Sequence, residues 1–336
     1  MSRCFRLRLQ KAKASDSIPM QRLEIIARLL LASVSTIMLF LGGVTVPPLA
    51  FALFPLVPQP VLSFGIRYGV TRGMSVAALA LAILLLWGGA QLGYVYSIFV
   101  LLIGLVFFSL GRIRVLETLV LGIAAIVFTA FSALLFILYG SWQAIVHDVS
   151  ETLNSSLMSA VEMHEKMGFP QESIAVLKER TPEIAQTILH LLPAAAFVSL
   201  GLIVLFNIVL LCRRFPERRP DWLTLVSLRE WKAPDFLVWG VIASGFALFI
   251  PGVESVQAIA ANLLLVFSAC YFFQGLAIIA FYFNKNNVPR FVRAVVYLFI
   301  VFQQIFTMIV VGLGLFDLWV DFRRLRKQDL NPSQAS

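Results

Sequence analysis

Charged residues are scarce in this chain. Asp, Glu, Lys and Arg together make up 13% of its 336 residues, whereas hydrophobic residues make up 60%. A soluble domain carries about 25% charged residues, because they coat the surface that faces water. The composition therefore excludes an ordinary water-soluble globular protein.

Metal-ligating and nucleophilic residues are also few. Cys4, Cys212 and Cys270 are the three cysteines, and they lack the CxxC spacing that is typical of zinc sites and redox motifs. His147 and Glu151 share one helix face, but two ligands do not close a zinc site. No Walker A, HExxH or GxSxG pattern occurs, so ATP hydrolysis, zinc proteolysis and serine hydrolysis have no local signature. We predict no metal, no cofactor, no catalytic residue and no enzymatic activity.

Long apolar runs fill most of the chain instead. A transmembrane helix needs about 20 apolar residues to cross the hydrocarbon core of a bilayer. Runs of this kind recur from Leu29 to Leu318 and predict an all-α, polytopic transmembrane helical bundle of about 8–9 spans, with the lipid bilayer as its first partner. The predicted spans are 25–43, 47–66, 73–90, 92–111, 115–140, 183–212, 235–251, 255–284 and 290–319.

The second of these runs is rich in proline. Proline removes a helical hydrogen bond, so this run predicts a broken or re-entrant helix that its neighbours shield from lipid. The prolines are Pro47, Pro48, Pro55, Pro58 and Pro60.

Basic residues give the chain a formal net charge of +9, but they lie at the ends of the apolar runs. This distribution is typical of topology signals and indicates no nucleic-acid partner. The positive-inside rule places segments 1–24 and 213–234 in the cytoplasm together with several short loops. Nine spans would, however, put the basic tail outside. Three alternatives stay open: the second run does not cross, the last run doubles back, or the tail breaks the rule.

The polar segment 141–182 would then face outwards. Its apolar residues recur with helical spacing and predict an amphipathic helix on the membrane surface or over the bundle, followed by a shorter helix around 173–178. This segment is either a solvated connector or a lid over a ligand site. The residues of the apolar face are Ile145, Val146, Val149, Leu153, Leu157 and Val161.

Few charges lie within the runs. Glu117, Glu254 and Asp317 lie near run ends, where water is close. Polar groups inside a membrane need partners, so the intramembrane amides, tyrosines and one histidine either hold helices together or line a cavity. A cavity without buried charge would bind a small, mostly neutral or apolar molecule. The candidate substrate-binding residues are Gln91, Tyr94, His190, Asn262 and Gln274.

Glycines recur at four-residue intervals at the junction of the second and third runs. Gly65, Gly69 and Gly73 form this series, and Gly89 and Gly93 repeat the interval. Small residues with this spacing let two helices approach closely. Tight turn geometry is the competing explanation for the first series.

Short motifs in the C-terminal part resemble those of a known family. The motifs are QGLA at 274–277, NVPRF at 287–291, GLFDLW at 314–319 and DFRR at 321–324. Together with the length and hydropathy of residues 25–327, they resemble the YybS-like family of uncharacterised bacterial membrane proteins. The resemblance implies a multi-pass protein of the bacterial cytoplasmic (inner) membrane, and it implies no established activity.

The N-terminal part is similar to the substrate-binding S components of energy-coupling-factor vitamin transporters. In these proteins a short first helix leads to a proline-containing second helix, an aromatic-Gly turn and a Gly/Ala-rich third helix. The similarity implies a membrane-embedded pocket for a vitamin-sized ligand, covered by outer loops. The alanine-spaced coupling motif is absent, because Ala32–Thr36 stands in its place. The matching positions are Pro47, Pro48, Pro58, Arg67, Tyr68, Gly69 and Gly73.

These observations predict two alternative functions. The first is a small-molecule binder or transporter built on the S-component-like bundle. The second is a non-transporting scaffold or regulator that recruits a cytoplasmic protein through the loop 213–232, which has the tryptophans and arginines of a docking segment. An intramembrane enzyme acting on lipid would lack an acid–base pair inside the runs. The predicted organisation is a basic N-terminus 1–24, the bundle 25–212 with the extracytoplasmic loop 141–182, the basic loop 213–234, C-terminal transmembrane helices 235–320 and a polar tail 321–336.

Overall fold

The computed structural model describes residues 3–218 and 225–323, with the backbone alone for residues 3–22, 47, 218 and 225–227. These ranges are helical and contain no strand, which confirms the predicted all-α class. The helices are α1 (Arg3–Thr45), α2 (Pro47–Leu53), α3 (Gln59–Tyr68), α4 (Val70–Trp87), α5 (Gly89–Ser109), α6 (Leu116–Tyr139), α7 (Trp142–Lys166), α8 (Gln171–Arg214), α9 (Leu225–Glu230), α10 (Leu237–Ala247), α11 (Glu254–Lys285), α12 (Arg290–Phe302) and α13 (Gln304–Val320), with short 3-10 helices at Phe54–Leu56 and Pro216–Arg218.

Seven helical segments within the described ranges are long and apolar enough to cross a bilayer, and the bent pair α12 and α13 could make an eighth. This confirms a polytopic helical membrane protein. The predicted seventh span, 235–251, is helical mainly in α10, which has 11 residues. At 1.5 Å per residue α10 extends for about 16 Å, roughly half of a hydrocarbon core.

The proline-rich second run is broken, as predicted. It consists of α2, a 3-10 turn at Phe54–Leu56 and α3, each with a proline at its first or second position. Proline is tolerated there because the first N–H groups of a helix have no intrahelical partner. Segment Pro48–Tyr68 is still long and apolar enough to span a bilayer.

The chain forms two compact units, Met1–Ala130 with Gly201–Pro220 (unit 1) and Phe131–Leu200 with Asp221–Ser336 (unit 2). The core of unit 1 is a buried cluster of Phe40, Val57, Ala80, Leu84 and Tyr96. The rings of Phe40 and Tyr96 form a T-shaped pair with 5.3 Å between their centroids. These contacts hold α1, α4 and α5 around the broken second run. The segment boundaries predicted from the sequence stay predictions.

The glycine series of unit 1 serves both purposes that the sequence left open. Gly69 has a φ of +106°, so it forms the turn between α3 and α4. A Cβ on Gly73 would lie 2.7 Å from the Cα of Gly65, so these glycines also let the two helices touch.

The polar segment 141–182 of unit 2 begins with α7, as predicted, and Ser141 accepts a capping hydrogen bond from the Ala144 N–H at 3.2 Å. Of the predicted apolar face, Ile145 and Val161 are buried and Val146 is exposed. The prediction of a separate short helix around 173–178 is wrong. That stretch belongs to α8, a continuous helix of 44 residues that contains Pro182 and Pro193. Such a helix is about 66 Å long and exceeds a membrane span.

The last apolar run doubles back within unit 2. Helices α12 and α13 meet at Gln303 with a bend of 102°. The run starts just after the end of α11. Its C-terminal end returns to the same place, because the Tyr282 hydroxyl near the end of α11 donates to the Phe322 carbonyl at 2.8 Å. Of the three alternatives for the basic tail, the structure therefore favours the one in which the last run doubles back. Arg323 lies on the side of Lys285, as the positive-inside rule requires. The remaining tail, 324–336, lies outside the described residues.

Candidate functional site

The five predicted binding residues fall into different surroundings. Gln91 and Tyr94 lie on α5 in unit 1 and are exposed. His190, on α8 in unit 2, is also exposed, whereas Asn262 is half-buried and Gln274 is buried. A ligand-binding role for them stays a prediction, but the contacts of the two amides show what they do in the fold.

Asn262 bonds to the backbone of α8 beside Pro193. Its Nδ2 donates to the His190 carbonyl at 2.6 Å, and its Oδ1 accepts from the Ala194 N–H at 2.9 Å. An unbroken α-helix would join these two backbone groups to each other. The turn contains Pro193, which has no N–H and whose ring crowds the preceding turn. Asn262 therefore fastens α11 to α8 through the backbone beside the proline.

We expect Asn262→Ala to lower the free energy of unfolding by about 0.5–2 kcal/mol, the range for interhelical hydrogen bonds in membranes. Gln91→Ala removes an exposed amide and should leave stability unchanged. Unfolding titrations of both variants in mild detergent measure the difference. Equal stability of the Asn262 and Gln91 variants would contradict a fastening role.

Gln274 belongs to a buried polar network in unit 2. Its Oε1 accepts from the Ala233 N–H at 3.1 Å, and its Nε2 donates to Asp317 Oδ2 at 2.9 Å. Asp317 also pairs with Arg323 at 2.8 Å, and both side chains are almost fully buried, with 2% and 0% exposure. The sequence placed Asp317 near water, which is wrong, because Asp317 is buried against Gln274 of α11 and Arg323.

Arg323 completes this network. Its Nη1 donates to the carbonyls of Arg229 at 2.8 Å and Trp231 at 2.9 Å. Asp317 Oδ1 in turn accepts from the Phe322 N–H at 2.9 Å. The network joins the end of α13 to α11 and to the basic loop. Because opposite charges cancel there and most groups have partners, it is a structural anchor.

A different cluster of charge lies in unit 1. Arg28 of α1, Arg67 of α3 and Arg214 at the end of α8 line one open cavity of about 490 Å³. All three come from segments at the predicted cytoplasmic ends of their spans. Within the described side chains of unit 1, a salt bridge forms beside the cavity, where Arg28 Nη2 lies 2.6 Å from Glu24 Oε1. The cavity therefore carries an excess of positive charge.

The wall of this cavity is amphipathic. Arg214 Nη1 lies 3.5 Å from Ser63 Oγ, which places a guanidinium group beside α3. Next to this polar side, Leu31 is 67% exposed at the edge of the cavity. Such a cavity can hold an anionic group at the arginines and an apolar chain beside them. The apolar residues that line it are Leu31, Ala32, Leu39, Leu56, Pro60, Phe64 and Phe215.

Gln59 also lines this cavity. It is 6% exposed and lies two turns before Arg67 on α3. Its Nε2 donates to Asn207 Oδ1 at 2.8 Å and to the Asn207 carbonyl at 3.2 Å. Its Oε1 has no hydrogen-bond partner within the described part of the chain.

A second depression lies in unit 2, between α7 and Leu189 of α8, with a volume of about 750 Å³. His147 Nδ1 and Glu151 Oε2 are 4.0 Å apart there, and both side chains are more than three-quarters exposed. Within the described residues, no third metal-ligating side chain joins them. This pair is therefore an exposed feature of the helix surface.

Sequence reasoning missed the arginine cavity because it assigned the arginines to membrane topology. Arg67 and Arg214 are far apart in the chain, and only the packing of α3 against the end of α8 brings them together. The signal available in the sequence was the arginine at the end of each neighbouring span, which is also what topology requires.

Comparison with known proteins identifies a family that matches the chain. No curated protein and no solved structure matches the chain significantly. The predicted resemblances to the YybS-like family and to S components are not confirmed. The family described as "Predicted membrane protein (DUF2232)" matches residues 34–318, which is most of the chain. The chain is therefore a member of the DUF2232 family of predicted membrane proteins.

Proposed function

We propose that this integral membrane protein binds a phosphate-bearing amphiphile in the arginine cavity of unit 1. The observation that supports the proposal is the convergence of Arg28, Arg67 and Arg214, from three helices, on one cavity with an apolar wall. Glu24 neutralises Arg28 in part, so Arg67 and Arg214 supply most of the excess charge.

Guanidinium groups favour phosphate for a geometric reason. Their planar forks of N–H donors match the oxygens of phosphate or carboxylate, and such charge-assisted hydrogen bonds are about twice as strong as neutral ones. Several arginines on one anion suit the delocalised charge of a phosphate group. The exposed Leu31 at the cavity edge lets an apolar chain enter from the surrounding lipid.

This proposal changes the ligand predicted from the sequence. A mostly neutral or apolar molecule would leave Arg67 and Arg214 without a counter-charge among the described residues, so an amphiphile with an anionic head fits better. Transport through an S-component-like bundle stays a prediction. Recruitment of a cytoplasmic protein through 213–232 also stays a prediction, and part of that loop, 219–224, lies outside the described residues.

We expect Arg214→Gln to weaken the binding of dihexanoyl phosphatidylglycerol by about tenfold or more. A charge-assisted hydrogen bond contributes about 1.5–3 kcal/mol, and 1.4 kcal/mol corresponds to tenfold in Kd. Native mass spectrometry or a thermal-shift titration in dodecyl maltoside measures the Kd.

The matched control is Arg112→Gln. It removes the same charge from unit 1 at a site where the guanidinium bonds to the Phe108 carbonyl and stacks on the Phe108 ring, away from the cavity. Its Kd should equal that of the unmodified protein. Equal weakening by both variants would show non-specific attraction, and no binding at all would remove the proposal.

A further inference from the structure

Gln59 carries a hydrogen-bond acceptor that has no partner among the described residues. The residue lines the cavity and is 6% exposed, and its Oε1 is a buried acceptor that lacks a partner within the described side chains. Buried polar groups are nearly always hydrogen-bonded, and an exception at a binding cavity points to a ligand.

The orientation of the Gln59 amide is fixed by its neighbour. Asn207 is fully buried, and its Nδ2 donates to the carbonyls of Pro55 at 2.9 Å and Ile203 at 2.7 Å. The Asn207 Oδ1 therefore faces Gln59 and requires a donor. Gln59 supplies its NH₂ group, and rotating the amide would place two oxygens against each other. Its Oε1 is consequently the atom left for a ligand.

The distance between this acceptor and the anion site follows from helix geometry. Gln59 and Ser63 are four residues apart on α3, so they lie on one face about 6 Å apart. Arg214 Nη1 lies 3.5 Å from the Ser63 hydroxyl. An anion held by Arg214 is thus about one helical turn from the Gln59 acceptor. A hydroxyl two or three carbons from a phosphate spans that distance.

We infer that the cavity selects a phosphate ester whose alcohol part carries a free hydroxyl, with Arg214 beside Ser63 receiving the phosphate and Gln59 Oε1 accepting from the hydroxyl. This inference rests on the proposed function and adds the specificity of the cavity for an ester that carries a free hydroxyl. The glycerophosphate group meets the requirement, whether as the head of a lipid or as a free phosphate ester.

Two lipids test the inference, one whose head alcohol carries free hydroxyls and one whose head alcohol carries none. Dihexanoyl phosphatidylglycerol and dihexanoyl phosphatidylmethanol have the same chains and the same single phosphodiester charge, but phosphatidylmethanol has no hydroxyl donor. We expect the unmodified protein to bind phosphatidylglycerol about tenfold more tightly. A site that hydrogen-bonds a hydroxyl rejects the analogue that lacks it, because the buried acceptor stays unpaired.

The possible results separate the two proposals. Equal affinity for both lipids would overturn the inference and leave the proposed function intact, whereas binding of neither would overturn the proposed function itself. Competition by glycerol 1-phosphate as strong as by the lipid would support the hydroxyl requirement and assign the site to a soluble ester. Weak competition by glycerol 1-phosphate and by inorganic phosphate would assign it to the lipid.

A variant locates the selectivity at Gln59. Gln59→Met keeps the length of the side chain and removes the acceptor, so phosphatidylglycerol should lose its tenfold advantage while the affinity for phosphatidylmethanol stays the same. Persistence of the advantage in this variant would place the hydroxyl elsewhere. If the variant does not fold, because Asn207 loses its donor, the comparison of the two lipids on the unmodified protein still decides the inference.

Discussion

Replacing Asp317 with alanine is expected to lower the free energy of unfolding by about 3–5 kcal/mol. The substitution leaves the Arg323 guanidinium buried without a counter-charge and removes the acceptor of the Gln274 amide. Breaking one side of a buried ion pair costs this much because an isolated charge cannot recover its hydration inside the protein. Chemical unfolding in detergent, followed by circular dichroism, measures the loss.

Two further variants test whether the buried charge is the cause. The double variant Asp317→Leu with Arg323→Met leaves no lone charge, so it should be more stable than Asp317→Ala. Lys232 and Asp235 form a more exposed pair at 3.0 Å, so Asp235→Ala should change stability by about 1 kcal/mol or less. Similar losses for Asp317→Ala and Asp235→Ala would disprove the structural role of the network.

Gly314→Ala should destabilise unit 2 by about 1–3 kcal/mol or more, the range for overpacking. Gly314 faces α11 at its crossing with α13, and a Cβ there would overlap the Tyr271 carbonyl oxygen and lie 2.9 Å from the Gly275 nitrogen. Both obstacles are backbone atoms of a helix, so no side-chain rotation relieves the clash. Separating α11 from α13 would also pull Asp317 away from Gln274.

Gly312→Ala is the matched control for this prediction. It lies on the same helix, and a Cβ there meets nothing within 4 Å. Alanine has the higher helix propensity, so this variant should be as stable as the unmodified protein or slightly more stable. Thermal unfolding of both variants in one detergent gives the comparison. Equal behaviour would show that α11 and α13 do not depend on the close approach.

Local signals in the sequence predicted the helices well where one physical cause acted alone. The prolines of the second run broke it into α2 and α3, and the spacing of apolar residues located α7. Prediction failed at Pro182, where the apolar run begins. Proline only weakens a helix, and α8 continues through both Pro182 and Pro193, with Asn262 bonding the backbone at the second.

The candidate site was less accessible to sequence reasoning. Intramembrane amides are either fasteners or ligand contacts, and the choice depends on which backbone groups they meet. Asn262 and Gln274 meet carbonyl, N–H and carboxylate partners that come from distant parts of unit 2. Membrane topology already accounts for an arginine at the end of a span. The sequence therefore gives no sign that Arg67 and Arg214 share a cavity.

The class of polytopic helical membrane protein follows from the amino-acid sequence alone, because about 20 apolar residues in series have no other stable environment. The sequence also shows which loops carry positive charge, and the orientation of the chain is predicted from these loops. The tertiary structure decided the path of the last run, whose bend at Gln303 returns Arg323 to the end of α11. It likewise decided which polar groups meet. Contacts between distant residues depend on helix packing, which the periodicity along the chain does not encode.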